Sequence, residues 1–198
     1  MQRKGIAVGA GVLLALSCWG AAEALGQKGS GSFPQSKESE IGGQKVKLVK
    51  TGQAVRKKLI ISVYSVAGYI QEGVKVRTAQ DLIDVDCPKV LHLTMLRTVS
   101  GADMAESLVS ILRQNHPAPA FDAEAKALAD KIRSGSAQNG DHILITHIPK
   151  VGLHFKRVGG EEILIRNVAF SKAMWENYFG KHNVGEDVKS GLLSALER

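Results

Sequence analysis

The chain has 198 residues, 44% of them hydrophobic and 5% aromatic, and a formal charge of +7. That is enough for one domain with a real core. Its basic residues are spread along the chain without a long cluster or an interleaved aromatic platform, so nucleic acid is excluded as the expected partner and a solvated basic surface is favoured.

The first residues read MQRKGIAVGAGVLLALSCWGAAEALGQ. Arg3 and Lys4 form a basic region, Ile6–Leu16 an apolar one, and Ala22-Glu23-Ala24 a small–x–small site, which is the layout of a secretory signal peptide over residues 1–24. The apolar run is too short to favour a permanent span, so no integral membrane segment is expected after cleavage. Lipid anchoring through Cys18 is the alternative, and Ala15-Leu16-Ser17 before it fits a lipobox poorly. An exported, periplasmic protein is expected. Once the signal is removed Cys87 is the remaining cysteine, which rules out an intrachain disulfide and suits a small buried residue.

Residues 25–44 are rich in glycine, serine and charge and read as a flexible leader to a single domain over 45–198. KVKLVK (45–50) alternates strictly and predicts a short edge strand, its lysines discouraging further pairing. GQAVRKKLIISVYSVAGYI (52–70) alternates over its whole length and predicts one long strand. Its Lys57 to Tyr69 parity is suited to a core, and the parity of Arg56, Lys58, Ser62 and Tyr64 mixes polar with apolar groups, as a cavity lining would.

Thr78 is placed to cap a short helix carrying Leu82 and Ile83, and KVLHLTML (89–96) predicts a strand. Ser100 caps a helix over 101–115 whose Met104, Leu108, Ile111 and Leu112 recur at helical spacing. A second helix is predicted over 121–134, with Ala125, Leu128 and Ile132 in its apolar stripe. Strands follow over 142–149, 152–158 and 161–168, the last two joined by Gly159-Gly160, a hairpin signal. Ser171 opens an aromatic helix holding Trp175 and Phe179, and a last amphipathic helix runs from Glu186 to Leu196. The order suits an α+β fold, an antiparallel sheet with a layer of helices on one side.

The histidines do not assemble a metal site: His142, His147 and His154 are five and seven residues apart around strands, with no acidic or cysteine partner at ligand spacing. No cofactor is expected. His92 or His147 facing a cleft is the alternative to a structural role. No G-x-S-x-G elbow is present for Ser–His–Asp chemistry.

Four segments in register resemble the chalcone isomerase-like family. They are 52–70, with its Gly52-x-x-Val55-Arg56 opening, Tyr64 in the middle and Tyr69 near the end; LTMLRTVSGADMAESL (93–108); NGDHILITHIPKVGLHFKRVGGEEI (139–163); and NVAFSKAMWENYFGKHNVGEDVKSGLL (167–193). The resemblance implies an open-faced β-sandwich, a large antiparallel sheet with helices walling a cleft. The family's plant enzymes cyclise a flavonoid precursor, while non-catalytic relatives hold a fatty-acid carboxylate with an arginine and a tyrosine. Arg56 matches the arginine of both groups, and Tyr64 stands where the fatty-acid binders carry tyrosine. Met104 and Ile111 stand where the enzymes carry tyrosine and asparagine. A thioether and an alkyl group cannot polarise a ketone or order a water, so chalcone cyclisation is not expected.

The expected function is therefore binding of a small amphipathic carboxylate such as a fatty acid, without catalysis. Arg56, Tyr64, Lys58 and Ser62 would meet the ligand, and Met104, Leu108 and Ile111 would form the pocket wall. Two other readings stay open: an isomerase or intramolecular lyase using the same cleft, and a structural or interaction role at the envelope. One difficulty is geometric. On a straight strand Arg56 and Tyr64 would be about 26 Å apart, so they share a head group only if the chain bends, bulges or turns between them.

Overall fold

The computed structural model describes residues 33–196. The signal peptide expected over 1–24, with Cys18, and the first part of the expected leader lie outside them. The stretch 52–70 is not one strand. Strand β2 (Gln44–Lys58) turns through Leu59-Ile60 into β3 (Ile61–Gln71), and the two pair antiparallel with Arg56 opposite Tyr64. Neither Leu59 nor Ile60 is a turn former, which is why the alternation reads as unbroken.

The strand expected over 45–50 is the first half of β2, continued past a register shift between Lys50 and Gly52. It is not an edge. Strand β1 (Ser36–Ile41) pairs with it through a Gly42-Gly43 turn, both glycines at positive φ (61° and 79°). The second half of the expected flexible leader is therefore the edge strand of the sheet. Its anchors are Phe33 and Ile41, both buried.

The sheet is completed by β4 (Lys89–Met95), and, after a two-residue β5 (Val99–Ser100) that pairs with β6 (Ser136–Ala137), by β7 (His142–Ile148), β8 (Gly152–Arg157) and β9 (Glu162–Ile165). Seven strands run antiparallel in the order β1-β2-β3-β4-β7-β8-β9. Helices α1 (Ala79–Asp84), α2 (Gly101–Asn115), α3 (Asp122–Arg133), α4 (Val168–Phe179) and α5 (Glu186–Leu192) supply the partners of its inner face. There Val66, Leu91, Leu93, Ile143, Ile145 and Phe155 meet Leu108, Leu112, Leu128, Trp175 and Leu192 in one cluster. A smaller cluster on the outer face gathers Phe33, Ile41, Val46, Leu48, Ala67, Tyr69 and Val90.

Helix starts follow their caps. Thr78 and Asp81 form a reciprocal capping box on α1, and Ser100 caps α2. Helix α4 begins three residues before the expected Ser171, because the Asn167 side chain accepts from the Phe170 amide and closes the first turn earlier. Helix α5 ends at Leu192, short of the expected Leu196.

Two local devices set the ends of the molecule. Helix α5 lies on bare backbone: a Cβ at Gly52 would come within 2.2 Å of the Gly191 carbonyl oxygen, and one at Gly68 within 2.5 Å of Thr51 Oγ1. Gly52 lets α5 seat on the β2–β3 hairpin with its N-cap, Gly185, beside Arg56, while Gly68 makes room for the Thr51 side chain. At the other end the fully buried Lys89 reaches the C-terminus of α1. Its Nζ donates to the carbonyls of Leu82 (2.5 Å), Val85 (2.8 Å) and Ile83 (3.1 Å). Those carbonyls have no helical partner, and the helix dipole favours a cation there. The ammonium also sits 4.9 Å from the centre of the Trp175 ring, which stacks on Phe179 with centroids 5.6 Å apart.

Candidate functional site

The hairpin decides the site. Directly opposed residues on antiparallel strands have their Cβ atoms about 5 Å apart, so turning the chain at Leu59-Ile60 brings Arg56 and Tyr64 together on one face. Both line a cavity of about 170 Å³ between the sheet and α2. Leu93 and Met95 from β4, Ile143 and Ile145 from β7 and Phe155 from β8 form its apolar side, and Met104 and Leu108 close it from α2. Lys58, Val63, Val99, Asp103 and Ser107 stand where this cavity meets a wider groove of about 650 Å³.

Two of the expected residues are elsewhere. The register shifts between Arg56 and Lys57, so Val63 is the extra residue of a bulge and Ser62 pairs with Lys57 rather than sharing the face of Tyr64. Ser62 does not line the cavity. Ile111 does not either: it lies about 10 Å along α2 from Met104, from the helical rise, and packs against the core cluster beyond the cavity's end. Arg56, Lys58, Tyr64, Met104 and Leu108 are brought together.

Tyr178, on α4, completes the polar side, a place that its position in an aromatic helix does not signal. Burial pushes the Tyr64 phenol up to about 12, with the Tyr178 hydroxyl and the Arg56 charge pulling the other way. Burial, together with Tyr64, holds Tyr178 well above the ordinary tyrosine range. Both phenols therefore keep their protons at neutral pH and can donate hydrogen bonds. Arg56 donates to its neighbour's carbonyl, Lys57 O, at 2.6 Å. Among the described residues neither Arg56 nor Lys58 has an acidic partner. The carboxylate nearest this rim, Asp103, accepts from the Ser100 hydroxyl at 2.7 Å. The lining includes no histidine or cysteine.

The histidines weighed for the cleft lie away from it. His92 is on the outer face, 3.1 Å from His142 (Nε2 to Nδ1) and with Lys37 3.5 Å from its other nitrogen. Burial and the Lys37 charge lower it to about 3. His147 is fully buried in a chain no sequence motif announced: its Nδ1 is 2.8 Å from Ser171 Oγ, and its Nε2 is 2.8 Å from Asp86 Oδ1. Burial lowers the His147 pKa, so the neutral ring accepts from Ser171 and donates to Asp86. The constellation has the residue types of a hydrolase triad. Ser171 and His147 have no exposed surface, however, so no substrate reaches the hydroxyl. It ties α4 to β7 and to the segment before β4.

An antiparallel sheet with helices on its inner face thus encloses a mostly apolar cavity with a cationic, phenolic rim. The chain belongs to the chalcone isomerase-like family, whose model matches residues 32–194. Among solved structures it is similar to a fatty-acid binding protein of Arabidopsis thaliana, with a TM-score of 0.63 at 15% identity over 81% of this chain and 90% of that one. That likeness shows the fold. No curated protein matches the chain.

Proposed function

We propose that the protein binds a small amphipathic carboxylate, a fatty acid or a close analogue, and releases it unchanged, and that it does so after export. The observation that carries this reading is the polar rim. A guanidinium that has no acidic partner among the described residues sits across the hairpin from one of two phenols that burial keeps protonated at neutral pH, at the edge of an apolar cavity. A guanidinium fork matches the two oxygens of a carboxylate, and neutral phenols add donors without competing charge. Leu93, Met95, Ile143 and Phe155 offer the alkyl chain its contacts, and a longer chain has the adjoining groove to continue into.

Binding is favoured over catalysis because the rim supplies donors and no activated base or nucleophile. Tyr64 and Tyr178 are held above their ordinary range rather than below it, and Asp103 is engaged by Ser100. The related fatty-acid binding protein of the same fold supports the ligand class, and the three-region N-terminus supports export. Native mass spectrometry of the protein purified without detergent from the cells that make it is the test. A co-purifying mass matching one or a few fatty acids is expected. Ligand-free protein that also fails to take up added fatty acids would overturn the reading.

A further inference from the structure

The turn that builds the site breaks two rules at once. Two-residue hairpin turns favour Asn, Asp and Gly, because the backbone needs positive φ there. This one is Leu59-Ile60, with Leu59 at φ 56°. A large aliphatic residue in that region of backbone is uncommon and gains nothing locally. Both side chains are also in the solvent, Leu59 92% and Ile60 93% exposed, with Ile61 beside them 49% exposed. Leu59 and Ile60 are the most exposed large hydrophobic residues among the described residues, and they stand side by side at the tip.

Their surroundings are charged on one side only. Arg56, Lys57 and Lys58 lead into the tip, Arg97 stands across the groove, and no acidic residue occurs between Lys50 and Gln71. The acids nearest by are Asp103 and Glu106 on α2, on the far wall of the groove. An aliphatic tip with a basic collar is complementary to an anionic lipid surface. The aliphatic residues enter the acyl boundary while the cations stay at the head groups. A folded protein partner would need about 800 Å² of surface on each side, far more than a two-residue tip presents. Shallow insertion needs no more than the tip itself. Among the described residues no helix is long and apolar enough to cross a membrane, so the contact would be peripheral.

We propose that the β2–β3 hairpin tip docks the protein on an anionic bilayer, with Leu59 and Ile60 inserted and Lys57, Lys58 and Arg97 against the head groups. Lys58 and Val63, at the base of the tip, line both the cavity and the groove. Docking therefore sets the cavity's opening at head-group depth, where an amphipathic carboxylate passes between bilayer and protein without crossing water. The docking stands on the hairpin alone. The transfer of ligand from the bilayer rests on the carboxylate reading above.

The test is co-sedimentation with vesicles of phosphatidylethanolamine and phosphatidylglycerol, against vesicles of phosphatidylcholine. The wild type should sediment with the anionic vesicles, less as salt is raised, and barely with the neutral ones. Ile60→Asp removes one inserted side chain and adds a repelled charge. It should weaken vesicle binding by about tenfold or more, since burying one aliphatic side chain alone is worth roughly that factor. Fatty-acid titration of Ile60→Asp without vesicles should match the wild type, because Ile60 touches neither cavity nor groove. In Ile60→Trp the introduced indole should shift to the blue on adding anionic vesicles and be quenched by brominated acyl chains. An Ile60→Asp protein that binds vesicles as the wild type does, or an indole that stays in water, would overturn the docking. So would concentration-dependent self-association that Ile60→Asp abolishes in a wild type that ignores vesicles, since the tip would then be a protein contact. Vesicle binding without fatty-acid binding would sink the carboxylate reading and leave the docking. The reverse pair of results would do the opposite.

Discussion

The two ends of the sheet treat polarity in opposite ways. At the α1–α4 end the ionisable groups Lys89 and His147 are inside and partnered, Lys89 on three carbonyls and His147 between Ser171 and Asp86. At the hairpin end Arg56 and Lys58 have no acidic partners among the described residues, two phenols face a cavity, and aliphatic residues stand in the solvent. The first arrangement is what a stable core requires of buried polar groups. The second departs from that rule and from turn chemistry in one place, and such departures mark where a protein trades local consistency for function. The comparison predicts that substitutions at the sealed end change stability, while those at the open end change binding.

The largest loss should follow from Trp175→Ala. The ring is 1% exposed, stacked on Phe179 and under the Lys89 ammonium, and emptying such a site costs about 3–5 kcal/mol. Urea unfolding measures it, and a loss below 1 kcal/mol would mean that α4 is not packed as described.

Lys89→Met should cost about 3 kcal/mol, because three carbonyls at the end of α1 lose their donor. The same variant carries a pH signature. Burial lowers the Lys89 pKa to about 8 from an ordinary 10.5. Between those values the unfolded chain holds a proton that the folded protein has released, so wild-type stability should rise with pH across that window. Lys37, lowered to about 8 by burial, acts in the same direction. Cys87, whose thiol burial pushes up, acts in the opposite direction, so the test is the difference between the two proteins: the rise should be smaller in Lys89→Met. Equal slopes in the two proteins would place the Lys89 ammonium in water.

A smaller effect is expected for Ser171→Ala, about 2 kcal/mol, the penalty for leaving His147 Nδ1 buried without a donor. The variant should bind fatty acid as the wild type does. Altered binding with unchanged stability would make this buried chain part of the site.

What the sequence shows of this molecule depends on whether the signal is local. Helix α2 is legible at both ends, because Ser100 caps it and Pro117 follows it. The Gly159-Gly160 hairpin is legible from its turn residues. Gly42-Gly43 carries the same signal between alternating runs, and the polar composition of residues 25–44 masks it. The β2–β3 turn is not legible, because Leu59-Ile60 reads as strand. With that turn hidden, Arg56 and Tyr64 look too distant to share a ligand. The alternation puts Ser62 on the face of Tyr64, because a bulge at Val63, which shifts the parity, leaves no mark in composition. Tyr178 was hidden by company: a helix apolar nearly all round gives no sign of which phenol reaches a cavity.

Calorimetric titration of one ligand in two forms would show whether Arg56 recognises a carboxylate in the cavity. Wild type and Arg56→Ala would each be titrated with a fatty acid and with its methyl ester, which keeps the chain and removes the charge. Arg56 is a half-buried residue at the end of β2, so the melting temperature of Arg56→Ala should stay close to that of the wild type. The wild type should prefer the acid by about 1.5–3 kcal/mol, the range for hydrogen bonds to a charged group, and Arg56→Ala should bind acid and ester nearly alike. A preference for the acid that survives intact in Arg56→Ala would contradict recognition by Arg56 and pass the head group to Lys58.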